Sequence, residues 1–171
     1  MKVNEAYTVL GNPGKRAEYD RVEIRLEKSH LEHSQEGQDS RVAREQYRKG
    51  MELLKAGDPW AASESFRWAV HLNPRSALFH TWLGASLART RKRLHEAEEH
   101  CKTAITLDYS NPLFYVHLGQ VYLAGRLNEK ARKQFETALK LDPGHVDARK
   151  ALEVVKGEGQ DKSLFDKLFK K

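Results

Sequence analysis

Three copies of one residue pattern, spaced 34 or 35 residues apart, constrain the fold of this 171-residue chain more than any other feature. The recurring positions are Gly50, Gly84 and Gly119; Ala62, Ala97 and Ala131; Phe66, Cys101 and Phe135; Ala69, Ala104 and Ala138; Leu72, Leu107 and Leu141; and Pro74, Tyr109 and Pro143. One residue is inserted within the second copy, between Gly84 and Ala97, in the basic turn 89–93. A constant period of this length predicts a stack of helix–turn–helix units.

The residue types at these positions explain how such a unit packs. Gly50 and Ala62 fall on opposite arms of the first hairpin, where small side chains let the two backbones approach. Phe66 fills the space between the arms, and Ala69 leaves room for the next hairpin. Pro74 ends the second helix, because proline lacks the backbone N–H that a helix interior requires. The pattern therefore predicts antiparallel helix pairs in close contact.

These residues resemble the tetratricopeptide repeat. The resemblance covers residues 43–145, and it is carried by Gly50, Ala62, Phe66, Ala69 and Pro74, and by Gly119, Tyr122, Ala131, Phe135, Ala138 and Pro143. It implies an all-α, right-handed helical-hairpin solenoid of three tetratricopeptide-like repeats, with a capping helix and an N-terminal helical segment. The middle repeat departs from the pattern at Cys101, Tyr109 and the inserted residue, and Cys101 is expected to be a buried, unreactive hydrophobe.

The predicted organisation has three parts. An N-terminal helical segment and linker occupy residues 1–36, a repeat domain 37–157, and a basic amphipathic tail 158–171. Within the repeat domain, the repeats lie at 43–76, 77–111 and 112–145, and the capping helix lies at 146–156. The polar stretch 34–40 is interpreted as a linker, and either Asp39 or Ser40 as the N-cap of the first repeat helix. Asn128 is the expected N-cap of the last return helix.

Residues 4–20 resemble the last part of a J-domain. The matching residues are Asn4, Glu5, Ala6, Tyr7, Val9, Leu10, Asn12, Pro13, Lys15, Arg16, Ala17, Tyr19 and Asp20. In that family the working motif is a His-Pro-Asp loop upstream of this stretch, and none of the five prolines of this chain follows a histidine. We therefore expect a chain that begins partway through a longer DnaJ-like protein and does not stimulate a DnaK-type chaperone.

Composition narrows the functional classes. The net charge of +6 and the pI of about 9.4 come from scattered residues, so nucleic-acid binding is not inferred from them. Cys101 is the single cysteine and cannot form an internal disulfide, which suits a reducing compartment. No apolar run approaches the roughly 18 residues of a membrane-spanning helix. We expect a soluble, cytoplasmic protein without a transmembrane segment.

The histidines do not form a recognisable metal or catalytic motif. His95 and His100 are five residues apart and point about 140° away from each other on a helix, whereas a zinc-protease helix requires a spacing of four. His30 and His33 are interpreted as residues of a solvated helix face. The sequence contains no phosphate-binding loop, nucleophile elbow or plausibly spaced pair of acids. We predict no catalytic activity, no cofactor and no metal.

The first helix of each hairpin predicts a concave groove that binds a partner. Counted from the three glycines, its lining residues are Arg44, Tyr47, Arg48, Met51, Lys55, Thr81, Trp82, Ala85, Arg89, Val116, His117 and Gln120. Leu54, Leu78, Leu113 and Leu123 share the same inward positions, and Leu54, Leu78 and Leu123 fit core packing equally well. Tyr47, Met51, Trp82 and His117 are the strongest candidates, since aromatic and methionine side chains are favoured at recognition surfaces.

One feature of related proteins is missing. Tetratricopeptide proteins that grip chaperone C-termini use a two-carboxylate clamp built from lysine, asparagine and arginine. The matching positions in this chain hold Tyr47, Met51, Trp82, Leu113 and His117, and none supplies the required group. We therefore expect an apolar or aromatic protein or peptide segment as the partner.

The resulting prediction is a non-catalytic protein-interaction scaffold, the C-terminal part of a DnaJ-like co-chaperone. Two alternatives stay open: a cytoplasmic assembly adaptor without a chaperone role, and a peripheral membrane or nucleic-acid binder that uses the basic turn and tail. The tail is apolar at Leu164, Phe165, Leu168 and Phe169, and it is expected either to be disordered or to dock on an apolar surface. Exposed apolar residues near the N-terminus also leave open a weak homodimer.

Overall fold

The structure is a computed structural model that describes residues 13–156. These residues form seven α-helices and no strand: α1 (Pro13–Lys55), α2 (Pro59–Leu72), α3 (Ala77–Thr90), α4 (Leu94–Leu107), α5 (Pro112–Ala124), α6 (Asn128–Leu141) and α7 (Val146–Lys156). The all-α fold is confirmed. No helix in this part of the chain is long and apolar enough to cross a membrane.

Helix α1 differs from the prediction. It has 43 residues and continues without interruption through 34–40, so the predicted linker and the predicted N-cap at Asp39 or Ser40 are wrong. Gly37 is the only residue of this stretch with a large helix penalty, of about 1 kcal/mol relative to alanine. The helix begins at Pro13, which tolerates the first helical position because its missing N–H would have no helical partner. The chain divides into two compact units between Arg41 and Val42.

Capping residues define where most of the repeat helices begin. The carboxylate of Asp58 accepts a hydrogen bond from the Ala61 N–H at 2.9 Å, and the side chains of Ser76 and Asn111 cap α3 and α5 in the same way. Asn128 was the expected cap of α6, and this prediction is wrong. The N-cap residue is Leu127, which provides no side-chain hydrogen bond, and Asn128 is the first helical residue.

The close approach of paired helices is confirmed at all three glycines. A Cβ atom added at Gly50 would lie 2.6 Å from Cε1 of Phe66 on α2, and one at Gly84 would lie 2.8 Å from the Ala97 carbonyl oxygen on α4. At Gly119 the added atom would collide with the ring of Phe135 on α6. An added side chain would therefore meet the backbone of the facing helix at Gly84, and it would have to displace a phenylalanine ring at Gly50 and Gly119.

A continuous apolar core runs through the hairpins from α1 to α7. Its largest fully buried side chains include Phe66, Leu83, Leu87, Val116 and Phe135. Cys101 lies in the same core with no exposed surface, and burial raises the pKa of its thiol well above the usual range. The prediction that this cysteine replaces an aromatic residue inside the core is confirmed.

Helix α7 ends the described part of the repeat domain. Ala148, Ala151 and Val155 are buried in the core cluster, whereas Arg149 and Glu153 are exposed. This division between an apolar and a charged face agrees with the predicted capping role, since a terminal repeat helix needs a polar outer surface. The predicted tail and most of the J-domain-like stretch lie outside the described residues.

The glycine contacts make a specific stability prediction. Replacing Gly84 by alanine should lower the free energy of unfolding by about 1–3 kcal/mol, because the new methyl group meets the backbone of α4, which can yield only by separating the two helices. Chemical denaturation of both proteins measures the difference.

Gly37 provides the control. It is also helical, but an added Cβ atom has no neighbour within 4 Å, so Gly37→Ala should stabilise its helix by about 0.5–1 kcal/mol. An equal or favourable effect of Gly84→Ala would contradict the close packing described above.

Candidate partner-binding groove

The predicted groove is carried by α3, α5 and the C-terminal part of α1. The three glycines face the return helices, and they therefore set the rotation of each first helix. When the first residue of each repeat (43, 77 or 112) is counted as position one, the glycine is position eight. Positions two, six, nine and thirteen lie about 100–160° around the helix axis from that glycine, whereas positions five and twelve lie only about 40–60° away. Residues in the first group should face the groove, and those in the second should lie closer to the core.

A row of aromatic rings connects the groove to the core. Tyr47 stacks on Phe79 with a centroid distance of 5.4 Å and contacts Phe66 at 5.7 Å. Phe66 stacks on Trp82 at 6.3 Å, and Trp82 meets the ring of His117 edge-on at 4.8 Å. We call these five residues the aromatic row. Tyr47 and Trp82 are its partly exposed members, and their rings are held in place by the buried ones.

A buried polar contact holds one end of the row. The Thr81 hydroxyl and Nδ1 of His117 lie 2.9 Å apart, and both side chains are buried. Burial is the main reason why the pKa of His117 falls from 6.5 to about 3, and the charges of Arg89 and His145 lower it further. His117 is therefore a neutral ring at physiological pH.

The exposed rim of the groove on α1 is basic. Arg44, Arg48 and Lys55 are exposed, and Arg48 pairs with Glu52 at 3.2 Å one helical turn later. Arg89 on α3 lies deeper, and burial lowers the pKa of its guanidinium. The groove thus combines half-exposed aromatic and aliphatic surface with positive charge at its edge.

Not every residue predicted to line the groove reaches its surface. Eight are exposed or half-exposed: Arg44, Tyr47, Arg48, Met51, Lys55, Trp82, Arg89 and Gln120. The remaining four are buried: Thr81, Ala85, Val116 and His117. Thr81 and Val116 occupy the fifth repeat position, close to the packing glycine, where the larger Tyr47 of the first repeat stays half-exposed. His117 lies against the ring of Trp82. These four support the groove from below.

The leucines at inward positions divide in the same way. Leu54 is buried, which agrees with its interpretation as a core-packing residue, whereas Leu78 is 38% exposed. Leu113 and Leu123 are intermediate. Phe79 was not identified from the sequence, although it completes the aromatic row. The sequence signal that could have identified Phe79 is Phe114, which occupies the same position of the next repeat and is also buried.

The structure also brings together two histidines that the sequence did not pair. Nδ1 of His80 and Nδ1 of His100 lie 2.9 Å apart, and Nε2 of His80 lies 3.0 Å from the Pro74 carbonyl oxygen. His95 points elsewhere and lies 3.3 Å from Glu99. Within residues 13–156 there is no group of three potential ligands that could hold a metal ion.

Comparison with known proteins identifies the pattern. A family model described as tetratricopeptide repeat matches residues 47–112, and a second model with the same description matches residues 113–145. Stress-induced-phosphoprotein 1 of Caenorhabditis elegans is 30% identical over 111 residues, which cover 65% of this chain and 34% of that protein. The chain therefore spans about a third of the length of this curated relative.

Solved structures share the fold. The second tetratricopeptide domain of Spaghetti (RPAP3), bound to the HSP90 peptide SRMEEVD, is 26% identical with a TM-score of 0.55, covering 64% of this chain and 99% of that one. The second such domain of human RPAP3, in complex with the HSP70 peptide SGPTIEEVD, is 24% identical with a TM-score of 0.62, covering 72% and 99%.

The burial of His117 predicts how stability depends on pH. The unfolded chain binds a proton near pH 6.5, whereas the folded chain does not bind it until about pH 3. The contribution of His117 to the free energy of unfolding is therefore complete above pH 6.5. Below that pH, the free energy of unfolding should fall by up to about 1.4 kcal/mol per pH unit. His117→Asn should show a shallower loss between pH 6.5 and 5 in urea denaturation.

His95→Asn is the matched control, because the His95 side chain is 87% exposed. It should retain the pH dependence of the unmodified protein. If the free energy of unfolding had the same pH dependence in His117→Asn and in the unmodified chain, the assignment of His117 as a buried, neutral residue would be contradicted.

Proposed function

Because this chain belongs to the tetratricopeptide repeat family through residues 47–145, we propose that it binds a segment of a partner protein in the groove described above. The single observation that carries this proposal is the aromatic row, which presents Tyr47 and Trp82 half-exposed on a buried support. Rigid aromatic side chains give a large contact area with little loss of conformational entropy on binding. Such residues are enriched where most of the binding energy of an interface resides.

The partner segment is apolar or aromatic. Tyr47, Met51 and Trp82 lie at three of the positions where chaperone-binding relatives carry clamp residues, and they provide apolar surface instead. The other two clamp positions hold Leu113, which is half-buried, and His117, which is buried and neutral. A pair of carboxylates at this place would lose its hydration without gaining a fixed cation or amide, which makes an acidic C-terminus a poor ligand.

Acidic residues in the partner fit the rim instead. Arg44, Arg48 and Lys55 are exposed beside Tyr47 and Met51, so an apolar segment flanked by acidic residues would match both the floor and the edge. Charges at a solvated rim mainly increase the association rate and contribute little to affinity. The apolar anchor therefore determines which segment binds.

We further propose that the chain is the partner-recruiting part of a DnaJ-like co-chaperone. Support comes from the J-domain-like residues 4–20, of which 13–20 lie in α1, and from the similarity to Stress-induced-phosphoprotein 1. A His-Pro-Asp tripeptide encoded upstream of Met1 would support this role. Its absence there would favour the alternative of an assembly adaptor without a chaperone role.

Peptide selection tests the groove. A random peptide display library selected on residues 1–171 should yield sequences enriched in aromatic and aliphatic residues. Met51→Lys should weaken binding of the selected peptides at least tenfold, because it places a cation on the apolar floor; a loss of about 1.4 kcal/mol corresponds to that factor. Fluorescence anisotropy with labelled peptides measures the change.

Glu45→Lys serves as the control, since it introduces the same cation at an exposed position on the same helix. Peptides that bind both variants as well as the unmodified protein would show that the groove is not the binding surface.

The peptide SRMEEVD provides a second, independent test. We expect this chain to bind it at least tenfold more weakly than the second domain of Spaghetti (RPAP3) does, because the clamp cations and amides are replaced. Isothermal titration of both proteins under one buffer condition measures this. Comparable affinity would show that the clamp is not required in this chain and would overturn the assignment of an apolar ligand.

A further inference from the structure

The turns inside the hairpins contain an unusual set of residues. Among residues 13–156, three non-glycine residues have a positive φ, namely Arg91 (54°), Arg93 (52°) and Arg126 (60°). Each lies in a turn that connects the two helices of a hairpin: Arg91 and Arg93 between α3 and α4, and Arg126 between α5 and α6. The corresponding turn of the first hairpin has Gly57 at φ 82°. An L-residue is strained in this region, because its Cβ approaches the following carbonyl oxygen.

The first and third turns have the same hydrogen bonds. In the first, the N–H of Gly57 donates to Leu54 O at 3.1 Å, and the N–H of Asp58 donates to Leu53 O at 3.0 Å. In the third, Arg126 donates to Leu123 O at 2.9 Å, and Leu127 donates to Tyr122 O at 2.8 Å. This is the usual helix ending with a left-handed residue, at which glycine is preferred.

The second turn reaches the left-handed conformation twice, because it contains the inserted residue. The N–H of Arg91 donates to Ala88 O at 3.0 Å, which places Arg91 at the position held by Gly57 and Arg126 in the other turns. Arg93 is the second left-handed residue, directly before α4. Arginine thus occupies positions where glycine fits without strain. Residues held in such conformations are candidates for a functional role.

These turns form a basic surface at one end of the hairpins. We call it the turn edge. Its exposed cations are Lys55, Arg91, Lys92, Arg93, Arg126 and Lys130. Four acids lie nearby: Asp58 caps α2, Glu129 pairs with Arg132, Glu96 pairs with Arg67 and Arg93, and Glu98 pairs with Lys102 and is also influenced by the charge of Lys130. The six exposed cations outnumber these four acids, so the turn edge carries a net positive charge.

Apolar groups lie among these cations. Trp60 is 45% exposed and Leu127 is 44% exposed. Nζ of Lys92 lies 6.0 Å from the centre of the Trp60 ring, which connects the first turn to the second. Cδ1 of Leu94 lies 3.7 Å from the position of a Cβ atom at Gly125, which connects the second turn to the third. The three turns are thus neighbours in one continuous surface.

We propose that the turn edge binds the surface of a membrane that contains anionic phospholipids. A row of turn tips can approach a flat surface without a pocket, and each arginine near an anionic bilayer adds electrostatic attraction. Trp60 has the amphipathic ring that favours the headgroup region. Leu127 has no π-face on which a nucleic-acid base could stack, and it favours the bilayer over RNA. Lys55 also lies at the rim of the groove, but the other residues of the turn edge do not belong to the groove, and the proposal does not depend on the groove's function.

Co-sedimentation of residues 1–171 with vesicles tests the proposal. Vesicles of phosphatidylcholine and phosphatidylserine should bind the chain, and vesicles of phosphatidylcholine alone should not. The double variant Arg91→Gly/Arg126→Gly should lose affinity for the anionic vesicles by about 10- to 30-fold, from the removal of two surface cations. Its melting temperature should be unchanged or higher, because glycine adopts these backbone conformations without strain.

Two matched controls distinguish binding at the turn edge from binding that depends only on net charge or on any exposed apolar residue. Arg75→Gln/Lys140→Gln removes the same charge from exposed positions outside the turn edge and should leave vesicle binding within about twofold, as expected of cations distant from the bilayer. Trp60→Gln should weaken binding, whereas Trp68→Gln, at a residue that is 52% exposed on the same helix, should not.

Three results would overturn the proposal. One is equal vesicle binding by the double variant and the unmodified chain. Another is an equal loss in Arg75→Gln/Lys140→Gln, which would indicate only general charge attraction. The third is binding of polyuridylate that depends on Arg91 and Arg126 in the absence of vesicle binding, which would assign the turn edge to RNA.

Discussion

The contact between a glycine and the facing return helix is the constraint on which this structure depends. At Gly50, Gly84 and Gly119 a methyl group would collide with the facing return helix, with a phenylalanine ring at Gly50 and Gly119 and with the backbone at Gly84. That proximity determines how each first helix is rotated, and rotation determines which side chains enter the core and which face the groove. Because the contact occurs once per repeat, an error in one hairpin would change the position of the next one.

The groove inherits its rigidity from this packing. Phe66 touches both Tyr47 and Trp82 within ring-contact distance, and the same ring is the one that prevents a side chain at Gly50. The candidate binding surface is therefore the outer side of the hairpin contact, so that packing and recognition share their central residue. Under the proposed function, partner specificity follows from the residues at the clamp positions, three of which (Tyr47, Trp82 and His117) belong to the aromatic row.

Much of the fold could be predicted, because the three copies of the repeat can be aligned with one another within this one sequence. Helices α2 to α7, the glycine contacts and the burial of Cys101 all followed from the period. The predictions that failed concerned the linker, one helix cap and the depth of four groove residues. The linker at 34–40 failed because one glycine does not interrupt a helix of otherwise favourable residues, and the cap at Asn128 failed because composition cannot locate a helix start to the residue.

The sequence by itself determined the hairpins, their number and the faces along which they pair, since period and residue size express those directly. Only the tertiary structure decided how deep each groove residue lies, because depth depends on side chains from a neighbouring hairpin; thus His117 is covered by Trp82 and neutral. The tertiary structure also showed Arg91 and Arg126 in a left-handed conformation. Arginine is not a residue from which that backbone is expected, and the helix endings that require it are visible only in the folded chain.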